Sequence, residues 1–447
     1  MTTEAAAAEP DLSPDGQSIA VPSTPLPVST RARILIYLGV LLLLMSSGGG
    51  LISIPLSFFL KNKLHLSAHA AANFHLITGI PVYLGFLFGL ARDSWSPFGL
   101  RDRGYLILFG ALNALLYALF AFAPLGSVPV LLATILTLNC AGLFVSSAYN
   151  GLSAQIGQQH VMPGQMSTMF NVVGTIPTLL SLALGGIISD QLETSHGATA
   201  ARDIFLIGAA LSAVVALFGL LRPKAVYDNL NNELGPKATP LADFTRLLRY
   251  WPVYPALLIW ALWSFAPGSN TPLQYFLQNT LHSNDAAWGY WNDIFAASFI
   301  PTFLIYGWLS QRYPLRPLLW IGTLIGIPQM IPLAFIHSVG VSYLAAGAAG
   351  LMGGLCTAAY TDLLIRSCPR GLQGTMIMAS TSVYAIAVRG GDVLGANLYD
   401  RFKNFNVCVI AITIVYASIL LVLLVVPKRL TATADGEAPE GGEYATG

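Results

Sequence analysis

Long apolar runs broken by short polar stretches dominate the chain from residue 34 to residue 427. A helix needs about 20 mostly apolar residues to cross a bilayer. The runs of that length are 34–60, 71–91, 104–123, 128–150, 166–189, 203–221, 252–277, 289–309, 317–336, 341–363, 374–399 and 405–427. The pattern predicts an all-α membrane protein with twelve transmembrane helices. The longest polar connection, 222–251, divides them six and six.

The two sets of six are versions of one another. Residues 55–65 read Pro-Leu-Ser-Phe-Phe-Leu-Lys-Asn-Lys-Leu-His, and residues 272–282 read Pro-Leu-Gln-Tyr-Phe-Leu-Gln-Asn-Thr-Leu-His, identical at seven of eleven positions. Ile80, Pro81, Leu84 and Arg92 are echoed by Ile300, Pro301, Leu304 and Arg312. Gly142 and Tyr149 are echoed by Gly353 and Tyr360, and Gly185 and Asp190 by Gly395 and Asp400. A repeat running in one direction predicts two parallel six-helix bundles, residues 31–221 and 252–429.

Composition agrees. Charged residues are 10% of the chain, against about 25% in a typical soluble domain, and mean hydropathy is +0.64. The surface of such a chain must be solvated by lipid. A net charge of +1 excludes a nucleic-acid partner, which demands a basic face. The four cysteines have no CxxC spacing, so neither a zinc site nor a disulfide framework follows. No cofactor or metal is expected. His65 and His69 lie at i, i+4, but His282 echoes His65 in the repeat, which favours a structural role.

Charge orients the spans. With the N-terminus inside, one side carries Arg31, Arg33, Arg92, Arg101, Arg103, Arg222, Lys224, Lys237, Arg246, Arg249, Arg312, Arg316, Arg366, Arg370, Lys428 and Arg429. The other carries Lys61, Lys63, Arg202, Arg401 and Lys403. The positive-inside rule then predicts both termini cytoplasmic, in the cell membrane or an inner membrane. Residues 1–30 lack basic residues and are rich in Ala, Pro, Ser and Thr, and residues 430–447 are acidic and Gly-rich. Both are expected as disordered cytoplasmic tails. The connection 222–251 is a cytoplasmic linker whose stretch 241–250 has the pattern of a short amphipathic helix.

The loop after the second span reads Gly89-Leu90-Ala91-Arg92-Asp93, then Gly99-Leu100-Arg101-Asp102-Arg103-Gly104-Tyr105. With the parallel repeat, this resembles the major facilitator superfamily over about residues 31–429. The run from Asp93 to Tyr105, with Cys368-Pro369-Arg370-Gly371-Leu372-Gln373-Gly374-Thr375, is similar to the folate–biopterin transporter family. The muropeptide-permease and acetyl-CoA-transporter branches are neighbours. The resemblance implies a secondary active transporter that moves a small organic solute by alternating access. It also implies no enzymatic activity and a monomer whose partners are the solute, the lipid bilayer and coupling protons. The partner loop after span 8 keeps Arg312 and Arg316 but has Gln311 where an acid is expected.

Charge inside the bilayer is costly, from about 3 to beyond 10 kcal/mol per residue. Arg389 and Asp392 in span 11 are therefore the first candidates for the solute site. Either Arg389 holds an anionic group while Asp392 orients it or carries a proton, or the two form a structural ion pair. Span 1 carries Ser46-Ser47-Gly48-Gly49-Gly50 before Pro55, and span 7 carries Pro267-Gly268-Ser269-Asn270 before Pro272. Broken helices at matching repeat positions point to a transport site, making Asn270, Gln274 and Tyr275 expected cavity residues.

At the basic ends, Asp93, Arg101, Arg103, Arg312 and Arg316 are expected as a cytoplasmic gate, the two loops meeting across the mouth. Tyr149 and Tyr360 are either gate residues facing each other or interface anchors. Asp362 and Arg366 at i, i+4 are either a gate salt bridge or a solvated helix end, and Asp362 is a second proton-coupling candidate. Asp293 is expected in the first turn of span 8. Two other classes compete with a carrier: a polytopic membrane enzyme, and a transport-inactive sensor or assembly factor. The seven histidines form no HxxxxD-type pair, and no Walker A motif is present.

Overall fold

A computed structural model describes residues 26–437, apart from 59, 61–63, 65–67, 124–126, 194–196, 229, 231–239 and 284. Among the described residues there is no strand. The apolar runs become helices in the expected order. The first half holds α1 (Val28–Phe58), a broken span made of α2 (Ala68–Thr78), α3 (Ile80–Tyr83) and α4 (Gly85–Ser94), then α5 (Asp102–Phe120), α6 (Val128–Gln159), α7 (Pro163–Glu193) and α8 (Gly197–Leu220). Two short helices follow, α9 (Lys224–Tyr227) and α10 (Pro240–Arg249). The second half holds α11 (Val253–Ser264) with α12 (Thr271–Tyr275), then α13 (Asp285–Leu309), α14 (Leu315–Gly326), α15 (Val339–Arg366), α16 (Gln373–Phe402) and α17 (Phe405–Leu423), followed by α18 (Lys428–Thr431). Together they make the twelve-span, two-repeat architecture. Among the described residues, seven helical segments are long and apolar enough to cross a membrane, one of them α14 together with the 3₁₀ turn that continues it.

Local chemistry explains the breaks. Span 7 stops at Ser264 because Pro267-Gly268-Ser269-Asn270 follows. Gly268 has φ of +110°, and a Cβ there would stand 2.4 Å from the Cβ of Cys408. Only glycine meets both conditions. Beyond it the chain runs α12 and then a π turn, Phe276–Thr280. Leu60 is also in a π turn, and both it and its echo Leu277 are buried. The rest of the 55–65 echo lies largely outside the described residues. Span 9 tightens to a 3₁₀ helix over Ile327–Phe335, where Pro328 and Pro332 remove backbone donors. The break expected in span 1 is absent: the backbone stays helical through the Gly48–Gly50 run to Phe58.

The two halves touch along one face, the one carrying the arginine-rich loops. The contacts join α16 to α3, α4 and α6, and α7 to α13 and α15. The amphipathic α10 lies beneath them as a brace. Its Phe244 stacks on Phe86 of α4, 5.6 Å between centroids, and Arg246 donates to the carbonyl of Arg370 in the second half. The tail departs from expectation. Residues 430–435 are not loose: Leu430, Thr431, Thr433, Ala434 and Asp435 are buried. Polar groups of both halves close over them, which composition does not reveal.

Candidate functional site

The basic face is closed by two anchored helix starts. Asp93, at the end of α4, accepts from the backbone N–H of Gly374 (3.2 Å) and Thr375 (2.7 Å) and from Thr375 Oγ1 (2.7 Å). These N–H groups open α16, where a helix has unsatisfied donors and a positive dipole end. Arg92 aims the carboxylate, donating through Nη1 to Asp93 (2.8 Å) and as a fork to Asp102 (2.6 and 2.8 Å). Gly89 and Gly374 let the helices close on one another: a Cβ at Gly89 would stand 2.4 Å from the carbonyl oxygen of Gly374.

Between the anchors, polar side chains stitch the halves. Gln158 donates to the carbonyls of Ile365 (2.9 Å) and Cys368 (2.7 Å) and accepts from Gln373 (3.1 Å). Ser167 donates to Ala358 O at 2.6 Å, and Asn171 to Thr361 Oγ1 at 3.3 Å. The deepest stitch is Ser382 Oγ to Val82 O, 3.1 Å.

Asp362 and Arg366 are neither solvated nor paired with Arg101 and Arg103. Both are fully buried, with Arg366 Nε donating to Asp362 at 2.7 Å. Tyr306 donates to Asp362 at 2.5 Å. Arg366 also donates to Thr433 O (2.8 Å) and Asp435 (3.3 Å). Burial on this scale requires a charge to be matched on every side.

The other expected gate residues divide. Arg103 donates to the carbonyls of Gly219 and Leu220 and lies over the Tyr227 ring, tying α5 to α8 within one half. Arg101 takes a positive φ of 52° at the start of α5, and its N–H donates to Ser96 Oγ. Arg312 stacks on its neighbour Trp308 at 3.8 Å, and Arg316 is exposed. The expected meeting of the 93–103 and 312–316 loops is thus replaced by helix starts, since backbone N–H groups hold Asp93 better than mobile side chains. Tyr149 and Tyr360 are both buried but do not face each other. Tyr149 reaches Met169 Sδ (3.7 Å), and Tyr360 shares a 2.7 Å bond with Thr323. Each packs inside its own half.

Deeper in the membrane the expected Arg389–Asp392 pair does not form. Both oxygens of Asp392 accept from Thr271, from its N–H at 2.9 Å and its Oγ1 at 2.8 Å. Asp392 therefore anchors the start of α12 after the break. The backbone of the break lies against Gly391 and Gly395, where a Cβ would stand 2.9 Å from Ala266 N and 2.3 Å from Gly268 N. Arg389 is exposed and makes no ion pair or hydrogen bond among the described residues. It stands seven residues, two helical turns, from Ser382, so both lie on the stripe facing the first half. Arg389 thus continues that stripe beyond the last stitch, within coulombic reach of His75 on α2. Asn270 and Tyr275 are exposed and Gln274 half-buried on the broken span. Asp293 lies in the third turn of α13, not the first, with Oδ1 buried and unpartnered among the described residues. A separate cavity of about 200 Å³ lies inside the first half, where Asn113, Asn139, Ser146 and Ser212 face it.

Asp435 was not among the expected site residues: it lies in a stretch without apolar period, and its partners are far away along the chain.

Comparison with known proteins bears on this arrangement. The family model described as Major Facilitator Superfamily matches residues 163–388. A folate-biopterin transporter of Synechocystis sp. is 24% identical over 362 residues, covering 76% of this chain and 69% of that protein. Among solved structures, FucP in its outward conformation aligns with TM-score 0.66 at 15% identity, over 89% of this chain and 99% of that one. The human organic anion transporter MFSD10 aligns with TM-score 0.61 at 15% identity, over 89% and 100%. The proton:xylose symporter XylE aligns with TM-score 0.65 at 15% identity, over 91% and 98%.

Proposed function

Because the chain belongs to the Major Facilitator Superfamily, we propose that its halves, residues 31–221 and 252–429, rock about a central cleft that binds a small organic anion. The protein is a multi-pass membrane protein and a secondary active transporter of a small solute. The basic face is read as cytoplasmic, with both termini on that side. The contacts across it then correspond to an outward-open state. A single chain carries the whole cycle.

The observation that carries the anionic reading is Arg389, exposed on the cleft-facing stripe of α16 with no carboxylate partner among the described residues. A fixed positive charge facing the cleft attracts an anion, and its planar fork suits a carboxylate or phosphate. The related proteins named for folate–biopterin and organic anions support that class. Asn270, Gln274 and Tyr275 complete the wall. Asp392 is the coupling carboxylate in this reading, ahead of the buried Asp362. Protonation would loosen its hold on Thr271 and release the broken span beside Arg389.

A melting-shift experiment tests the site. Folate, which carries carboxylates, should stabilise the purified protein, and Arg389→Ala should abolish that shift. Biopterin, which carries none, should act equally on both proteins. An undiminished folate shift in Arg389→Ala removes Arg389 from the site.

A further inference from the structure

The repeat leaves a gap at the basic face. In the first half, Asp93 anchors the start of α16 through Gly374 and Thr375. The equivalent start in the first half's own fifth span is that of α7, where Met162-Pro163-Gly164-Gln165-Met166 answers Leu372-Gln373-Gly374-Thr375-Met376. The α13 end that lies against it offers no acid. A Cβ on Gly164 would stand 2.5 Å from the Ser310 Cβ, and one on Gly374 2.7 Å from Asp93 Oδ1. Ser310 thus occupies the place of Asp93 with only a hydroxyl, and Gln311 beside it is neutral.

The missing carboxylate comes from elsewhere. Asp435 accepts from the N–H of Gly164 (3.1 Å) and Gln165 (2.8 Å), one oxygen to each, as Asp93 does at Gly374 and Thr375. An arginine steadies each acid: Arg92 for Asp93, Arg366 for Asp435. The segment is clipped to both halves. Asp435 N–H donates to Ser310 O at 2.9 Å, and Gly436 N–H to Val161 O at 2.7 Å. We propose that residues 428–437 form a second latch of the basic-face gate, in which Asp435 supplies to α7 the carboxylate that Asp93 supplies to α16. The tail must leave for this face to open, so it sets the balance between the two open states. This rests on the alternating-access reading.

Spin labels at Phe98→Cys and Gln311→Cys, with the four native cysteines replaced, report the distance between the halves across this face. Asp435→Asn should raise the long-distance population roughly tenfold, as expected for the loss of charge-assisted hydrogen bonds. Ser310→Asp added to Asp435→Asn should restore the short distance by placing an acid where the first half has one. Should Asp435→Asn fail to fold, Gly436→Pro removes the clip to Val161 with the carboxylate intact and should open the face likewise. Asp93→Asn is the comparison. If Asp93→Asn opens the face while Asp435→Asn and Gly436→Pro do not, the second latch is overturned and alternating access stands. If none of them changes the distance, both fall.

Discussion

Gly164 and Gly374 stand 210 residues apart, and each gives its backbone N–H to a carboxylate from another part of the chain, Asp435 and Asp93 respectively. Both glycines open long helices whose free donors face the opposite half. The halves are therefore held at two points by the same bond. Such bonds are strong when made and reversible when the acid withdraws, as a gate requires.

Arg92 and Asp102 are nearly buried and joined by two short bonds. Asp102→Asn leaves the arginine undercompensated and should cost about 3–5 kcal/mol. Asp228→Asn, which breaks an exposed pair with Arg222, should cost no more than about 1 kcal/mol. Thermal melts of the two variants in one detergent check the contrast.

Gly395→Ala forces a methyl against the backbone of Gly268 and should destabilise by about 1–3 kcal/mol. Gly174→Ala in α7 meets nothing within 4 Å and should gain up to about 1 kcal/mol from helix propensity. Melting temperatures moving in opposite directions are expected.

Arg389 and Asp392 separate by role. Asp392→Ala removes both acceptors of Thr271 and should destabilise the protein by about 1–3 kcal/mol, with faster proteolysis at the 265–271 break. Arg389→Ala touches no described partner and should melt as the native chain does. A matched loss in both would return them to a single structural pair.

Much of this was legible beforehand because bilayer length and repeat offset are linear properties of sequence. The spans and the duplication follow from them. Asp362 and Arg366 were visible as a pair, but their burial depends on Tyr306 and on a tail hundreds of residues from α7. Asp435 sits in Thr431-Ala432-Thr433-Ala434-Asp435, whose composition reads as unstructured. The available signal was indirect: the repeat at Gly164 and Gly374 demands two acids, while the loop after span 8 holds Gln311. Arg389 and Asp392 stood out in the sequence as charges inside an apolar span. Their separation depended on Thr271, and a helical spacing of three does not reveal a competing partner.

The most direct test of alternating access closes the gate and watches the solute. Gln158→Cys and Gln373→Cys replace side chains 3.1 Å apart across the basic face, and a short bis-thiol linker would hold them together. In liposomes loaded with folate, labelled folate should accumulate by counterflow in the unlinked protein. Linking the halves should stop that accumulation without melting the protein. Counterflow that persists with the face linked, or that never exceeds protein-free vesicles, would contradict the account.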